Sequence, residues 1–233
     1  MFGENFAIAA ACLIPTLLAY QVEPSASFLN QMLAIGLWGF VLAISRIPSS
    51  TSRPSGFKAL VAVLMIAALA APRSGPPLAV TVATLSAFYL FLCGAAGIAL
   101  LGLNAARHGT GLGLAWGLLG AGVMGTLIGA LQVFVPQWVD GAWIGVPSAP
   151  GRAVGNLRQP NHLATLLIWA AVASVWLAVL REWSATRLAI LLAVLVAGVV
   201  MSASRTGLYL GLPLLVIWGR STAALRVRCG KCC

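Results

Sequence analysis

A polar stretch at residues 151–162 lies between two apolar segments and holds the side chains best suited to chemistry. Its sequence is Gly-Arg-Ala-Val-Gly-Asn-Leu-Arg-Gln-Pro-Asn-His. The side chains in it that could bind or react are Arg152, Arg158, Gln159, Asn161 and His162. Polar groups at the edge of a membrane bundle are costly to place, so such a cluster indicates a functional site.

The residue types in this stretch favour an anionic ligand. Arginine presents a planar fork of donors that matches phosphate oxygens. The amides of Gln159 and Asn161 suit sugar hydroxyls, or they hold the arginines in place. Pro160 is typical of the first helical turn, where free N–H groups and the positive end of the helix dipole favour an anion. We therefore predict a pyrophosphate or a carboxylate bound at a helix N-terminus.

A structural interpretation of the same residues stays open. Asn161 could act as a helix cap, and Arg152 and Arg158 could reach to lipid headgroups. His162 could transfer protons, although a lone histidine in a membrane protein more often has a structural role.

A second polar motif, Ser202-Ala203-Ser204-Arg205-Thr206-Gly207, separates two further apolar segments with almost no loop. Arg205 must face a polar cavity, a ligand or the headgroup level, because a charged side chain inside the bilayer is costly. Composition alone does not separate a ligand site from a tight turn at the membrane surface.

The elements that position these motifs are membrane helices. Hydrophobic residues make up 61% of the chain, charged residues make up 8%, and the mean hydropathy is +0.99. A soluble domain would carry about 25% charged residues, so that class is excluded. The apolar runs are long and do not alternate, which argues against a β-barrel. We predict an all-α, polytopic helical integral membrane protein.

About eight transmembrane segments are expected. They cover residues 5–21, 28–45, 58–72, 78–103, 112–134, 162–180, 188–204 and 206–219. A cytoplasmic N-terminus places most of the 14 basic residues on inner loops, which explains the net charge of +10 without nucleic acid. Both polar motifs then lie on the outer face. In the fifth segment, small residues recur every fourth position from Gly113 to Gly129, which predicts close helix packing within the bundle or a dimer seam.

The two motifs resemble a known family. Residues 151–164 are similar to the signature of bacterial protein O-oligosaccharyltransferases of the pilin glycosylation ligase type. Ser204-Arg205-Thr206 resembles the opening of the O-antigen ligase and polymerase domain of the same superfamily. The resemblance implies a GT-C-like enzyme of the bacterial inner membrane. Such enzymes transfer an oligosaccharide from undecaprenyl pyrophosphate to serine or threonine of pilin-like exported proteins, on the periplasmic face and without a cofactor or metal.

The resemblance also implies roles for single residues. Gln159 and His162 are the expected catalytic positions. The expected binding positions for the lipid pyrophosphate and glycan are Arg152, Arg158, Asn161 and Arg205. Related alternatives are an O-antigen ligase acting on lipid A core and an O-antigen polymerase, and an alternative of another class is a membrane transporter.

The same resemblance suggests how the chain divides into regions. We expect an N-terminal bundle of about five spans (1–134), a periplasmic loop with the signature (135–164) and the start of the ligase-like domain (165–219). The basic, cysteine-containing tail (220–233) has no counterpart in the family. Family members continue with a large periplasmic loop that carries a histidine. We therefore expect this chain to be a truncated or frameshifted form that is inactive alone.

Overall fold

The computed structural model describes residues 2–20, 28–44 and 111–219 of the chain. These residues form helices and connecting loops and contain no strand, so the predicted all-α class is confirmed. The helices are α1 (Phe2–Leu17), α2 (Phe28–Ile44), α3 (Gly111–Phe134), α4 (Pro160–Leu180), α5 (Ala185–Ser202) and α6 (Gly207–Gly219). The predicted segments 58–72 and 78–103 and the tail 220–233 lie outside the described residues.

The long helices match the thickness of a bilayer. In the described part of the chain, α3, α4 and α5 are each long and apolar enough to cross a membrane. Helices α1, α2 and α6 are shorter and also apolar. Large side chains such as Trp169, Ile190 and Val200 are more than half exposed, as expected for helix faces in contact with lipid. The protein is therefore an all-α membrane protein.

The chain divides into two compact units, residues 1–37 with 112–233 and residues 38–111. The described residues 2–20, 28–37 and 112–219 belong to the first unit. In that unit α1 and α3 run in the same direction. The Gly113 N–H donates to the Asn5 Oδ1 at 3.0 Å near the start of both helices, and further along both of them Gly120 faces Leu13.

The small residues of α3 serve packing inside the bundle. A Cβ added to Gly117 would lie 2.9 Å from the Cα of Ala9 in α1. One added to Gly129 would lie 2.9 Å from the Cβ of Ala153. Both are closer than real Cβ contacts allow, so glycine is required for the helix and loop to approach. The prediction of close packing within the bundle is confirmed.

Helices α4 and α5 form an antiparallel pair around a leucine-rich core. Leu163, Leu167, Leu177 and Leu195 are at most 1% exposed. The connecting turn is short, and the Ser184 side chain caps α5 by accepting from the Arg187 N–H at 3.3 Å. Because the pair is antiparallel, the start of α4 and the end of α5 lie at the same end. That end carries both polar motifs.

Candidate functional site

Gln132, in the last turns of α3, holds the loop that carries the first motif. We call residues Gly151–Gln159 the signature loop. The Gln132 Oε1 accepts the backbone N–H groups of Val154 and Gly155, both at 2.9 Å. Its Nε2 donates to the carbonyls of Gly145 and Gly155 at 2.6 and 3.1 Å. Since Gln132 is 1% exposed, the three bonds to Val154 and Gly155 fix the loop on the end of α3.

Asn156 gives the signature loop a second anchor, toward α1. Its Nδ2 donates to the carbonyls of Leu17 at 2.6 Å and of Trp143 at 3.0 Å, and its Oδ1 accepts from the Gly145 N–H at 2.9 Å. The side chain is 3% exposed. Asn156 therefore ties the end of α1, the loop after α3 and the signature loop together.

Arg158 follows in an unusual backbone conformation. Its φ is 60° and its ψ is 1°, in the left-handed region that costs a side-chain-bearing residue roughly 1–2 kcal/mol. The Nη2 donates to the carbonyl of Ala19 and, at 3.4 Å, to that of Tyr20. The strained backbone thus turns the guanidinium toward the end of α1. Strain of this kind is retained where the surroundings enforce it, often at functional sites.

The remaining donors of Arg158 are unused. Its Nε and Nη1 are buried and find no hydrogen-bond partner among the described residues. Burial also lowers the pKa of the Arg158 guanidinium. Buried donors of a charged group that lack a hydrogen-bond partner are costly, so the Nε and Nη1 of Arg158 are suited to an anionic ligand.

A cleft of about 660 Å³ opens beside Arg158. One wall comes from α1 and α2, with the polar residues Thr16, Asn30 and Gln31, and the other from the signature loop and α4, with Arg158, Gln159 and His162. The volume lies within the range of small-molecule sites. Three of the six predicted site residues, Arg158, Gln159 and His162, therefore meet at one cleft.

Helix α4 begins at Pro160 as predicted, and its start borders this cleft. Pro160 occupies the first turn, and Gln159 is the N-cap residue without a side-chain capping bond. Gln159 and His162 are exposed, and their side chains make no hydrogen bond or ion pair within the described residues. Both side chains are available to a ligand in the cleft.

Arg152 lies on the other side of the signature loop, at the end of α5. Its Nε donates to the Ser202 carbonyl at 2.9 Å and its Nη2 to the Ala203 carbonyl at 3.2 Å. A cation is favourable at a helix C-terminus, where carbonyls lack helical partners. Arg152 is not among the residues that line the cleft. Its position as a phosphate ligand stays a prediction, and the contacts it makes are those of a helix cap.

Asn161 joins the two polar motifs. Its Oδ1 accepts from the Ser204 Oγ at 2.8 Å, and the Ser204 Oγ accepts from the Gly207 N–H at 3.2 Å. Asn161 is thus bonded to the second motif and does not cap α4. Arg205, the next residue after Ser204, is exposed and has no hydrogen bond or ion pair to any described residue. Its side chain is free to bind an anion from outside.

Sequence reasoning missed three residues that shape this region, namely Gln132, Asn156 and Asn30. Gln132 had a readable signal, because it is an isolated amide in an otherwise apolar helix. Asn156 lay inside the signature itself. The place of Asn30 depends on how α2 meets the end of α1, which the sequence does not reveal.

Similarity to known proteins falls on this same region. A family model described as protein glycosylation ligase matches residues 153–178, which cover most of the signature loop and of α4. No curated protein and no solved structure matches the chain. The match points to a glycosyltransferase-like enzyme that works with a lipid-linked sugar and a protein acceptor. Over the segment that builds one wall of the cleft, the chain is similar to protein glycosylation ligases.

Proposed function

We propose that the cleft binds the diphosphate of undecaprenyl-pyrophosphate-linked oligosaccharide, as part of a reaction that transfers the glycan to serine or threonine of an exported protein. One observation carries the proposal: Arg158 presents two buried, unpartnered donors within the segment matched by the glycosylation ligase family. Charge-assisted bonds from arginine to phosphate oxygens would relieve that burial cost.

The proposed reaction is an exchange at the anomeric carbon. The bond from that carbon to the phosphate oxygen breaks, and a bond to the acceptor oxygen forms. Undecaprenyl pyrophosphate leaves with the bonding electrons, and the acceptor hydroxyl loses its proton to a base. Arg158 stabilises the charge that grows on the leaving diphosphate. Gln159 and His162 line the same cleft and are the proposed catalytic positions, with His162 able to hold a proton.

The second motif has a supporting part in this proposal. Exposed Arg205 lies next to Ser204, which is bonded to Asn161 beside the cleft residues Gln159 and His162. We assign Arg205 and Asn161 to the outer part of the donor site. Arg152 contributes by bracing the signature loop against α5.

A transfer assay tests the function. The chain, as part of an otherwise complete enzyme, is placed in lipid nanodiscs with undecaprenyl-pyrophosphate-linked glycan, and glycosylation of a pilin acceptor is followed by mass spectrometry. Lipid A core and a second lipid-linked glycan serve as competing acceptors, because ligases for lipid A core and polymerases would use those. We expect pilin modification in the wild type and none in Arg158→Ala or Gln159→Ala. Arg181→Ala, at the far end of α4, is the matched control. Full transfer by both cleft variants would refute the assignment.

The proposed membrane orientation places the cleft on the periplasmic side of the bacterial inner membrane, with the N-terminus in the cytoplasm. It is tested by single cysteines in a background whose five native cysteines are replaced. A membrane-impermeant reagent added to spheroplasts should label Trp143→Cys, which is 83% exposed at the signature end. It should not label Glu182→Cys in the turn at the opposite end. The reverse pattern would refute this orientation.

A further inference from the structure

Asn30, near the start of α2, is held in a fixed orientation by the end of α1. Its Nδ2 donates to the carbonyls of Pro15 and Leu18, both at 2.8 Å. The amide oxygen on the other side, Oδ1, is buried and has no hydrogen-bond partner among the described residues. Because both amide hydrogens are used, the group can offer a ligand only an acceptor.

Arg158, on the opposite wall of the cleft, also bonds to the end of α1. It donates to the carbonyls of Ala19 and Tyr20, directly after those bonded by Asn30. Both side chains line the one cleft. Asn30 leaves one unused acceptor, its Oδ1, and Arg158 leaves two unused donors, its Nε and Nη1. The other hydrogen bonds of the two side chains hold these atoms in place.

This pairing of unused groups has a chemical consequence. An anion alone offers acceptors, which satisfy Arg158 and leave the oxygen of Asn30 unpaired. A sugar alone offers hydroxyls, which satisfy Asn30 but bring no charge to the guanidinium. A sugar phosphate brings both kinds of group on adjacent atoms. An unpaired buried polar group costs about 1–3 kcal/mol, so the difference between these ligands should be measurable.

We propose that Asn30 is a specificity residue that accepts a hydrogen bond from a hydroxyl of the sugar directly attached to the diphosphate. This inference rests on the proposed function, and it adds that the cleft recognises the glycosyl phosphate and not the diphosphate alone. Helices α1 and α2 then form the sugar wall of the site, and the signature loop forms the phosphate wall.

The test compares two lipids on the full chain in nanodiscs. The probes are undecaprenyl pyrophosphate and undecaprenyl pyrophosphate carrying a single N-acetylhexosamine, and the measured quantity is the ratio of their dissociation constants. We expect the wild type to prefer the glycosylated lipid by at least about fivefold, the lower end of the cost of an unpaired buried group. A ratio near one in the wild type would overturn the inference.

A variant of Asn30 makes the test specific. Asn30→Ala removes the acceptor and should bring the ratio to about one. Using the ratio cancels any loss of folded protein common to both lipids. Retention of the preference in Asn30→Ala would contradict the role.

Two controls separate this inference from the proposed function. Asn5→Ala loosens α1 at its other end, where Asn5 accepts from the Gly113 N–H, and it should keep the preference. Loss of the preference in Asn5→Ala would mean that α1 packing alone sets it. If the wild type binds neither lipid, the proposed function fails. If the wild type binds both lipids equally, only the inference about the sugar fails. That result is expected if a water molecule donates to the Asn30 Oδ1 in place of the sugar.

Discussion

The Asn161 Oδ1 accepts a hydrogen bond from the Ser204 Oγ at 2.8 Å. This bond connects the two polar motifs through residues that lie 43 positions apart and are separated by most of α4 and all of α5. Ser204 is fully buried, so its end of the bond is shielded from water. It holds the start of α4 and the end of α5 together at the end of the bundle that carries the cleft.

The Asn161 and Ser204 side chains should be energetically coupled. In a double-mutant cycle of Asn161→Ala and Ser204→Ala, measured by thermal unfolding in detergent, we expect a coupling free energy of about 1 kcal/mol. The control pairs Asn161→Ala with Ser174→Ala, since the Ser174 Oγ bonds only to the Ala171 carbonyl within α4. That pair should be additive. Additivity in both cycles would mean that the bond between the motifs contributes nothing.

Gln132→Leu should detach the signature loop from α3. The substitution leaves two buried N–H groups and two carbonyls without their partner, so we expect a loss of several kcal/mol in the free energy of unfolding. Gln132→Glu keeps the two bonds that the Oε1 accepts, so its free energy of unfolding should lie between those of the wild type and Gln132→Leu. Both stability and binding of undecaprenyl pyrophosphate are measured.

A matched control exists in the same helix. The Thr126 Oγ1 bonds to the Gly122 carbonyl of α3 itself, so Thr126→Val removes a buried polar group without touching the loop. It should leave lipid binding unchanged. Equal binding losses in Gln132→Leu and Thr126→Val would show that Gln132 has no special part in holding the loop.

Replacing Arg158 by glycine or by alanine should separate the cost of its backbone conformation from its contribution to lipid binding. Both variants lose the guanidinium, and both should lose at least about tenfold in affinity for undecaprenyl pyrophosphate. Only glycine adopts a φ of 60° without cost, so Arg158→Gly should be more stable than Arg158→Ala by about 1 kcal/mol. Equal stability of the two variants would mean that the backbone is not strained.

Asp140 should order the loop after α3 in a pH-dependent way. Its Oδ1 accepts the N–H groups of Ile144, Trp143 and Ala142, at 3.0, 2.8 and 3.0 Å, and these bonds lower the pKa of the carboxyl. A lowered pKa in the folded protein means that the stabilisation is complete above the unfolded value of about 3.9 and is lost as the pH falls through the folded value.

Amide chemical shifts of these three residues should therefore stay constant from neutral pH down to about pH 5 and change only in stronger acid. In Asp140→Asn, which has no charge to titrate, we expect weaker order at every pH and no such transition. A midpoint at or above the usual aspartate pKa would contradict the role of the three hydrogen bonds.

Much of the fold could be predicted from the sequence because the apolar segments had to become helices in a bilayer. Pro160 marked the start of α4, since the first turn is the position in a helix where a proline ring is best tolerated. The small residues of α3 predicted close packing, because they let two backbones approach each other. What the sequence could not reveal was the partner on each face, such as Ala153 against Gly129.

The candidate site was only partly predictable. Arg158, Gln159 and His162 were identified from their types and position, and the structure brings them to one cleft. Arg152 has the same chemistry as Arg158, but it lies against the open carbonyls of α5, a contact set by tertiary packing. Asn30 was missed because it is a single amide in an apolar segment. Its role depends on hydrogen bonds to the end of α1, and the sequence does not show that contact.

Binding of the diphosphate by Arg158 is tested most directly by phosphorus NMR. Undecaprenyl pyrophosphate in nanodiscs is titrated with the wild-type chain, with Arg158→Ala and with Arg181→Ala, whose substitution lies at the far end of α4. The account predicts that the diphosphate resonances shift with the wild type and Arg181→Ala, and that Arg158→Ala needs at least about tenfold higher concentrations for the same shift. The same shift in all three would contradict it.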